Sequence, residues 1–246
     1  AASLRKALDE FRAANETPAS RSKMRRMVLI GHSMGGILSN LQIRDSGEKV
    51  RKVLFEKPID QLEASESERA ALKELYLFKP DPEVERAILI AAPHRGSELA
   101  QNPIGKLGSR LIKLPLDVFG AGVSGDQLLA TPGLTETARE ELRYSPDGVR
   151  SLRTTAPFLV ATAELPKGTT KFHSIIGRAH PKDPIPQSSD KVVPYWSAHL
   201  DGAESEKIVH ATHTTITANR AAIEEVRRIL YLHLGKKAPA PLPVTE

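Results

Sequence analysis

Residues 27 to 38, MVLIGHSMGGIL, constrain the fold more than any other stretch of this chain. The four apolar residues at 27 to 30 are typical of a short strand in a parallel sheet that is covered on both faces. The pattern G-x-S-x-G follows at residues 31 to 35, and residues 35 to 43 predict a helix. A strand that passes into a helix through this pattern predicts an α/β fold with the Ser33 hydroxyl at the carboxyl end of the sheet.

The glycines on either side of Ser33 are expected to be required by the turn. A serine at so sharp a turn has strained backbone geometry, and we expect a Cβ at Gly31 or Gly35 to collide with the neighbouring strand and helix. The simpler alternative is that Ser33 only caps the following helix, because serine is favoured at that position. A cap does not need flanking glycines, so the pattern favours the turn.

The spacing of apolar residues predicts the other elements. It predicts helices at residues 4–11, 66–78, 104–114, 134–142 and 218–234, of which the first is expected to cover a core. Short apolar runs predict strands at residues 86–92, 158–161, 172–177 and 206–210. Because strands alternate with helices, we expect one α/β domain over residues 1–235, built on a doubly wound, mostly parallel sheet.

Two segments are expected to lie outside the sheet. Residues 97–146 show no strand pattern, which predicts a helical insertion above the sheet. Within it, residues 102–118 carry apolar side chains on one stripe, so they form either a lid over the site or an ordinary helix packed on the core. The proline-rich residues 236–246 are expected to be disordered.

Composition excludes several classes of protein. The chain has 246 residues and no cysteine, so disulfides, thiol nucleophiles and cysteine-based metal sites are excluded. Its apolar runs are far shorter than the roughly 20 residues of a membrane span, and we expect no transmembrane segment. The net charge of +5 is scattered and aromatic residues are 4% of the chain, which argues against nucleic-acid binding.

A serine hydroxyl is a poor nucleophile without a histidine to take its proton and a carboxylate to orient that histidine. Four segments of the chain resemble the α/β-hydrolase family in its serine esterase and lipase branch: GHSMGG after MVLI, APHRGS after RAILIA, SIIG followed by SSDKVVPYWSAHL, and THT before the last helix. The resemblance covers residues 4 to 234. It implies the chain order serine, acid, histidine, with the acid after a later strand and the histidine after the last strand.

By this resemblance Asp190 matches the acid, and Asp183 is the alternative. An ordinary turn residue is the simpler reading of either aspartate. Lys191 stands at a position where we expect a glycine. His213, in the loop before the last helix, matches the base, and His210 is the alternative.

Two further histidines are assigned shaping roles. We expect His32, next to Ser33, to pack under the turn, and His94 in APHRGS matches a family motif that mainly shapes the site.

A zinc site on His210, His213 and Asp190 is the competing interpretation, but the sequence has no HExxH or other recognised ligand spacing. We therefore expect no metal and no cofactor.

The resemblance implies a serine hydrolase that cleaves carboxylic esters through an acyl-enzyme. The backbone N–H of Met34 is the expected first donor to the oxyanion, and the family takes a second donor from a loop after an early strand. The substrate would be a small-molecule or lipid ester, and a lid would favour lipid-like substrates. The same three residues also fit an amidase, a thioesterase or an acyltransferase, and a catalytically inactive binding domain stays open as well.

In that family four strands and a helix precede the helix that leads into the nucleophile strand. This chain supplies one helix before residue 27. We therefore expect the N-terminal strands of the family sheet to be missing here, and residues 27–30 to lie at an unpaired edge of the sheet. Nothing in the sequence indicates the compartment.

Overall fold

The computed structural model describes residues 1–97, 123–144, 157–163, 165–238 and 240. Its strands are β1 (Met27–His32), β2 (Val84–Ile90), β3 (Lys171–Gly177) and β4 (Ser205–Val209). Its helices are α1 (Ala2–Asn15), α2 (Arg21–Met24), α3 (Met34–Gln42), α4 (Gly47–Leu54), α5 (Glu66–Tyr76), α6 (Gly125–Ala130), α7 (Glu136–Tyr144), α8 (Pro157–Ala163), α9 (Tyr195–Ala198) and α10 (Arg220–His233). The helix predicted at 104–114, the lid candidate at 102–118 and most of the proline-rich tail lie outside the described residues.

The four strands form one sheet in the order β1-β2-β3-β4, and every neighbouring pair is parallel. The strands predicted near residues 27–30, 86–92, 172–177 and 206–210 are thereby confirmed. The sheet is flanked by helices, since α3 packs against β1 and β2 and α10 packs against Ile88 and Ile175 of the sheet. The described strands follow chain order without the reversal that defines a doubly wound sheet.

β1 lies at the edge of the described sheet, as expected, because it pairs only with β2 there. Ile30 is 48% exposed on this strand, whereas its register partner Ile88 on β2 is fully buried. Parallel strands share one carboxyl edge, so the chain segments that follow β1, β3 and β4 meet on the same side of the molecule.

Apart from the apolar residues that cover the sheet, a separate hydrophobic cluster is formed largely by helices. It includes Leu54 of α4, Leu72 of α5, Leu128 of α6, Ala138 of α7 and Leu159 of α8. The helix predicted at 134–142 is α7, so the described part of the predicted insertion does contain helices that pack on their neighbours. None of the described helices is long and apolar enough to cross a lipid bilayer.

The strand predicted at residues 158–161 is wrong, because these residues belong to helix α8. A short apolar run fits a buried helix as well as a strand, and only tertiary contacts decide between them. Here Leu159 packs into the helical cluster, and the Thr162 hydroxyl donates to the Leu159 carbonyl oxygen at 2.9 Å. Pro157 suits a first helical position, where its fixed φ is favourable.

The predicted first helix exists as α1, but it does not cover a core. None of its residues is buried, and Phe11 is 53% exposed. Polar contacts hold it instead: Arg12 forms an ion pair with the buried Asp81 at 2.9 Å, and the Arg5 guanidinium lies 5.2 Å from the centroid of the Phe78 ring. Amphipathic spacing predicted the helix correctly and its burial incorrectly.

A buried polar cluster centres on His173 of β3. The His173 Nδ1–H donates to the Ser205 hydroxyl at 2.7 Å, and its Nε2 accepts from the Arg86 guanidinium, which also pairs with Glu204. The His173 side chain is fully buried. Burial, together with the Arg86 charge, lowers the pKa of His173 from its ordinary value of 6.5 to about 4.

We expect the free energy of unfolding to decrease as the pH falls from about 6.5 towards 4. The unfolded chain protonates His173 near pH 6.5 and the folded protein only near its lowered pKa of about 4, so the unfolded state binds more protons in this window. Replacing His173 with glutamine should reduce the pH slope of stability by up to about 1.4 kcal/mol per pH unit. Urea denaturation at several pH values measures the slope, and an unchanged slope in the variant contradicts this origin.

Candidate active site

Ser33 occupies the sharp turn between β1 and α3. Its φ of 55° and ψ of −125° lie in a region that non-glycine residues rarely adopt, which costs on the order of 1–3 kcal/mol. The Ser33 backbone N–H donates to the Ile90 carbonyl oxygen at 2.9 Å, which ties the turn to the end of β2. Although Ser33 stands at the N-cap position, its side chain makes no capping hydrogen bond, so the simpler reading as a cap is not supported.

At this turn the neighbouring backbone and side chains leave no room for a Cβ at Gly31 or at Gly36. A Cβ at Gly31 would lie 2.2 Å from the Gly35 carbonyl oxygen, and a Cβ at Gly36 would lie 2.4 Å from the Ala92 Cβ. By contrast, apart from its chain neighbours and the backbone of its own helix, no described atom lies within 4 Å of a Cβ built at Gly35. The expected collision is therefore found at Gly31 and is wrong for Gly35. Gly36, which the pattern does not include, makes the second close approach because it faces the end of β2.

Alanine at these neighbouring glycines should have opposite effects. Gly36→Ala is expected to lower the free energy of unfolding by about 2 kcal/mol, because Ala92 or α3 must move to admit the new methyl group. Gly35→Ala is expected to be neutral or to raise it by up to about 1 kcal/mol, since alanine is the better helix former. Urea denaturation of the two variants checks this, and equal stabilities would contradict the described contact.

Three side chains from separate loops form one hydrogen-bonded chain at the carboxyl edge of the sheet. The Ser33 Oγ lies 2.9 Å from the His213 Nε2, and the His213 Nδ1 lies 2.8 Å from the Asp190 Oδ2. Ser33 follows β1, Asp190 follows β3, and His213 follows β4. The structure thus brings together the three residues that the sequence singled out.

The hydrogen-bond partners of Asp190 determine the tautomer of His213. Asp190 is 1% exposed, and its Oδ1 accepts from the backbone N–H groups of Val192 at 2.9 Å and Val193 at 2.6 Å. A carboxylate held by such donors is an acceptor only, so the proton of His213 must lie on Nδ1. The Nε2 lone pair then faces the Ser33 hydroxyl, which is the arrangement that proton removal requires.

The Asp190 loop is tight. Lys191 has a φ of 76°, in the left-handed region that favours glycine, which agrees with the expectation of a glycine at this position. The main chain also links the loop to the histidine, because the His213 N–H donates to the Asp190 carbonyl oxygen at 2.9 Å. Sequence reasoning missed the two valine N–H donors, since backbone donors leave no side-chain signal.

The alternative acid and base lie in other environments. Asp183 is in a turn, where its N–H donates to the His180 carbonyl oxygen at 3.1 Å, and Asp190 holds the histidine instead. The His210 Nε2 lies 3.0 Å from the Ala179 carbonyl oxygen and its side chain is exposed. Within the described part of the chain, no group of three or more histidine, aspartate or glutamate side chains is placed to hold a metal ion.

Met34 and His94 each have a nitrogen without a hydrogen-bond partner among the described residues: the backbone N–H of Met34 and the ring Nε2 of His94. Met34 is the first residue of α3, and its N–H has no acceptor within the helix, as holds for the first residues of every helix. His94 is buried after β2, and its Nε2 has no hydrogen-bond partner. Burial, together with the charges of Arg44 and Arg95, lowers the pKa of His94 to about 3, so His94 is neutral near neutral pH.

His32 contacts His213 directly, which the sequence did not indicate. The two ring centroids are 4.9 Å apart with the planes tilted by 37°, and the His32 Nε2 lies 3.1 Å from the His213 carbonyl oxygen. A carbonyl oxygen only accepts, so the His32 Nε2 carries the proton. Burial, together with the neighbouring His213, lowers the pKa of His32 below its ordinary value of 6.5.

The chain matches no protein-family model, and no curated protein matches it either. Solved structures that it resembles include bacterial lipases. Bacillus licheniformis lipase BlEst2 is 17% identical in its mature form, with a TM-score of 0.42 over 94% of this chain and 71% of that one. The propeptide form is 18% identical, with a TM-score of 0.43 over 99% of this chain and 41% of that one. Staphylococcus hyicus lipase is 13% identical, with a TM-score of 0.43 over 85% and 68% of the two chains. The likeness is distant, and the function proposed below rests on the geometry of the site.

Proposed function

We propose that this protein is a serine hydrolase that cleaves carboxylic esters. The observation that carries the proposal is the hydrogen-bonded chain of Ser33, His213 and Asp190, with separations of 2.9 and 2.8 Å. Each residue is in the state that nucleophilic catalysis needs: a hydroxyl on a strained turn, an imidazole with its free lone pair towards that hydroxyl, and a buried carboxylate behind it.

The reaction would proceed through an acyl-enzyme. Ser33 Oγ attacks the ester carbonyl carbon while the His213 Nε2 takes its proton, and Asp190 stabilises the imidazolium that forms. The imidazolium then returns the proton to the departing alcohol, which leaves Ser33 acylated. Water, with His213 again as the base, then attacks the acyl carbonyl carbon. The carboxylic acid leaves, and the Ser33 hydroxyl is restored.

The Met34 N–H would be the first donor to the developing oxyanion. It lies next to Ser33 at the N-terminus of α3, where unpaired N–H groups and the helix dipole favour negative charge. A preorganised donor of this kind contributes on the order of 3 kcal/mol to the transition state.

We further propose that the described sheet is part of an α/β-hydrolase sheet in the serine esterase and lipase branch. The order of the three residues along the chain supports this, because each follows a parallel strand in the sequence serine, acid, histidine. The strand–turn–helix context of Ser33 supports it as well. We include in this proposal that residues 1–235 form one domain. Its helical insertion would cover about residues 97–146.

Rapid mixing with p-nitrophenyl acetate tests the proposal. An acyl-enzyme that forms faster than it hydrolyses gives a burst of nitrophenol of about one equivalent per folded chain, followed by slower turnover. A series of p-nitrophenyl esters with longer acyl chains then reports acyl preference, and amide and thioester substrates report the leaving group. If the folded protein releases nitrophenol no faster than buffer does, the ester hydrolase proposal is wrong.

A further inference from the structure

Besides its contact with Ser33, His213 makes three hydrogen bonds to described residues. The Asp190 carboxylate accepts from the His213 ring at 2.8 Å, and the Asp190 carbonyl accepts from the His213 backbone at 2.9 Å. Both of these contacts come from the acid loop after β3. The third comes from His32, whose Nε2–H donates to the His213 carbonyl oxygen at 3.1 Å.

We infer that His32 is a positioning residue that ties the His213 loop to the turn of the nucleophile and so sets the distance between the His213 Nε2 and the Ser33 Oγ. The inference rests on the proposed function. It goes beyond the packing role that the sequence indicates, because it names a hydrogen bond with His32 Nε2–H as donor and the His213 carbonyl oxygen as acceptor.

The geometry around His32 supports a positioning role. His32 is covalently adjacent to Ser33, so its hydrogen bond to the His213 carbonyl oxygen ties the main chain of the base to the main chain of the nucleophile. The contacts with Asp190 come from the loop after β3, whereas His32 is the last residue of β1 and places the His213 main chain relative to the strand that carries the nucleophile. Catalysis is sensitive to such placement, since displacements of about 1 Å can reduce rates by about a hundredfold.

The charge state of His32 suits this role. Among the described residues, the titratable groups that act on its charge are His213 and Asp190, and both are part of the proposed site. A neutral ring donates one N–H without adding a positive charge beside the imidazolium that His213 becomes. The centroids of the His32 and His213 rings are also 4.9 Å apart, so the His32 ring packs beside the base.

Glutamine and methionine at position 32 separate the hydrogen bond from side-chain bulk. Both residues are unbranched and similar in size, but only glutamine offers an N–H near the position of the histidine Nε2. We expect His32→Gln to keep kcat within about threefold of the original, and His32→Met to lower kcat about tenfold with KM unchanged. The decrease should be the same across the pH profile, because His32 does not act as the base. His32→Leu serves as a second variant without the donor.

His210 provides the matched control. It makes the same kind of contact, from Nε2 to a backbone carbonyl oxygen at 3.0 Å, but its acceptor is Ala179. His210→Gln and His210→Met should therefore have equal kcat values. The rate constant for reaction with a fluorophosphonate should follow the same pattern in both pairs.

The outcomes separate the two proposals. If the parent protein reacts and His32→Met and His32→Leu react as fast as His32→Gln, the positioning role is wrong and the proposed function stands. If the glutamine and methionine variants lose activity equally, His32 acts through packing alone and the inference is also wrong. If the folded parent protein itself neither reacts nor hydrolyses esters, the proposed function fails, and the inference fails with it.

Discussion

Alanine at Ser33, alanine at His213 and the double substitution are expected to lower kcat for ester hydrolysis by about the same factor, of the order of 10⁵ to 10⁶. The two residues act as one unit, because the hydroxyl is inert without the base and the base has nothing to activate without the hydroxyl. Once either is absent, loss of the other costs little more. Steady-state kinetics of the two single variants and the double variant measure this.

His210→Ala is the matched control for that series. His210 lies three residues before His213, and its ring nitrogen binds the Ala179 carbonyl oxygen rather than the serine. We expect its kcat to match that of the parent protein. Independent, multiplicative losses at Ser33 and His213 would contradict a single catalytic unit, as would a loss at His210 as large as that at His213.

Asp190→Asn is expected to lower kcat by about 10⁴ while leaving the fold intact. The backbone N–H groups of Val192 and Val193 donate to the Asp190 Oδ1, so the asparagine must place its amide oxygen there and its NH₂ group towards His213. The His213 Nδ1 must then accept, which moves the ring proton to Nε2. A protonated Nε2 cannot take the proton of Ser33.

Thermal unfolding and kinetics together test the Asp190 prediction. The asparagine keeps the two backbone contacts, so the melting temperature should change little while kcat falls. Asp183→Asn, in the loop before Asp190, is the control and should keep full activity because its side chain lies outside the described site. An Asp190→Asn variant that hydrolyses esters at the parent rate would show that the tautomer of His213 is not controlled by this carboxylate.

The position of the site could be predicted because parallel strands impose it. The pattern around Ser33 located the turn, and the carboxyl ends of β1, β3 and β4 lie on one edge of the sheet, so residues after later strands had to approach it. The resemblance to the α/β-hydrolase family then favours Asp190 over Asp183 as the acid and His213 over His210 as the base. His213 and, through it, Asp190 are linked to Ser33 by hydrogen bonds, whereas Asp183 and His210 contact the carbonyl oxygens of His180 and Ala179.

The details that sequence reasoning missed depend on contacts between distant residues. The pattern G-x-S-x-G pointed to Gly35, but the close approach of α3 to Ala92 falls on Gly36. The contact from His32 to the His213 carbonyl joins residues 181 positions apart, and no local signal encodes it. For the same reason the apolar run at 158–161 predicts a strand, although these residues form a helix that packs among other helices.

The most direct test of the account is the mass of the intact protein after incubation with a fluorophosphonate. If Ser33 is activated by His213, one adduct should form per folded chain, peptide mapping should locate it on Ser33, and Ser33→Ala should remain unmodified. A protein that unfolds cooperatively yet gains no mass, or that carries the adduct on another residue, would contradict the central claim.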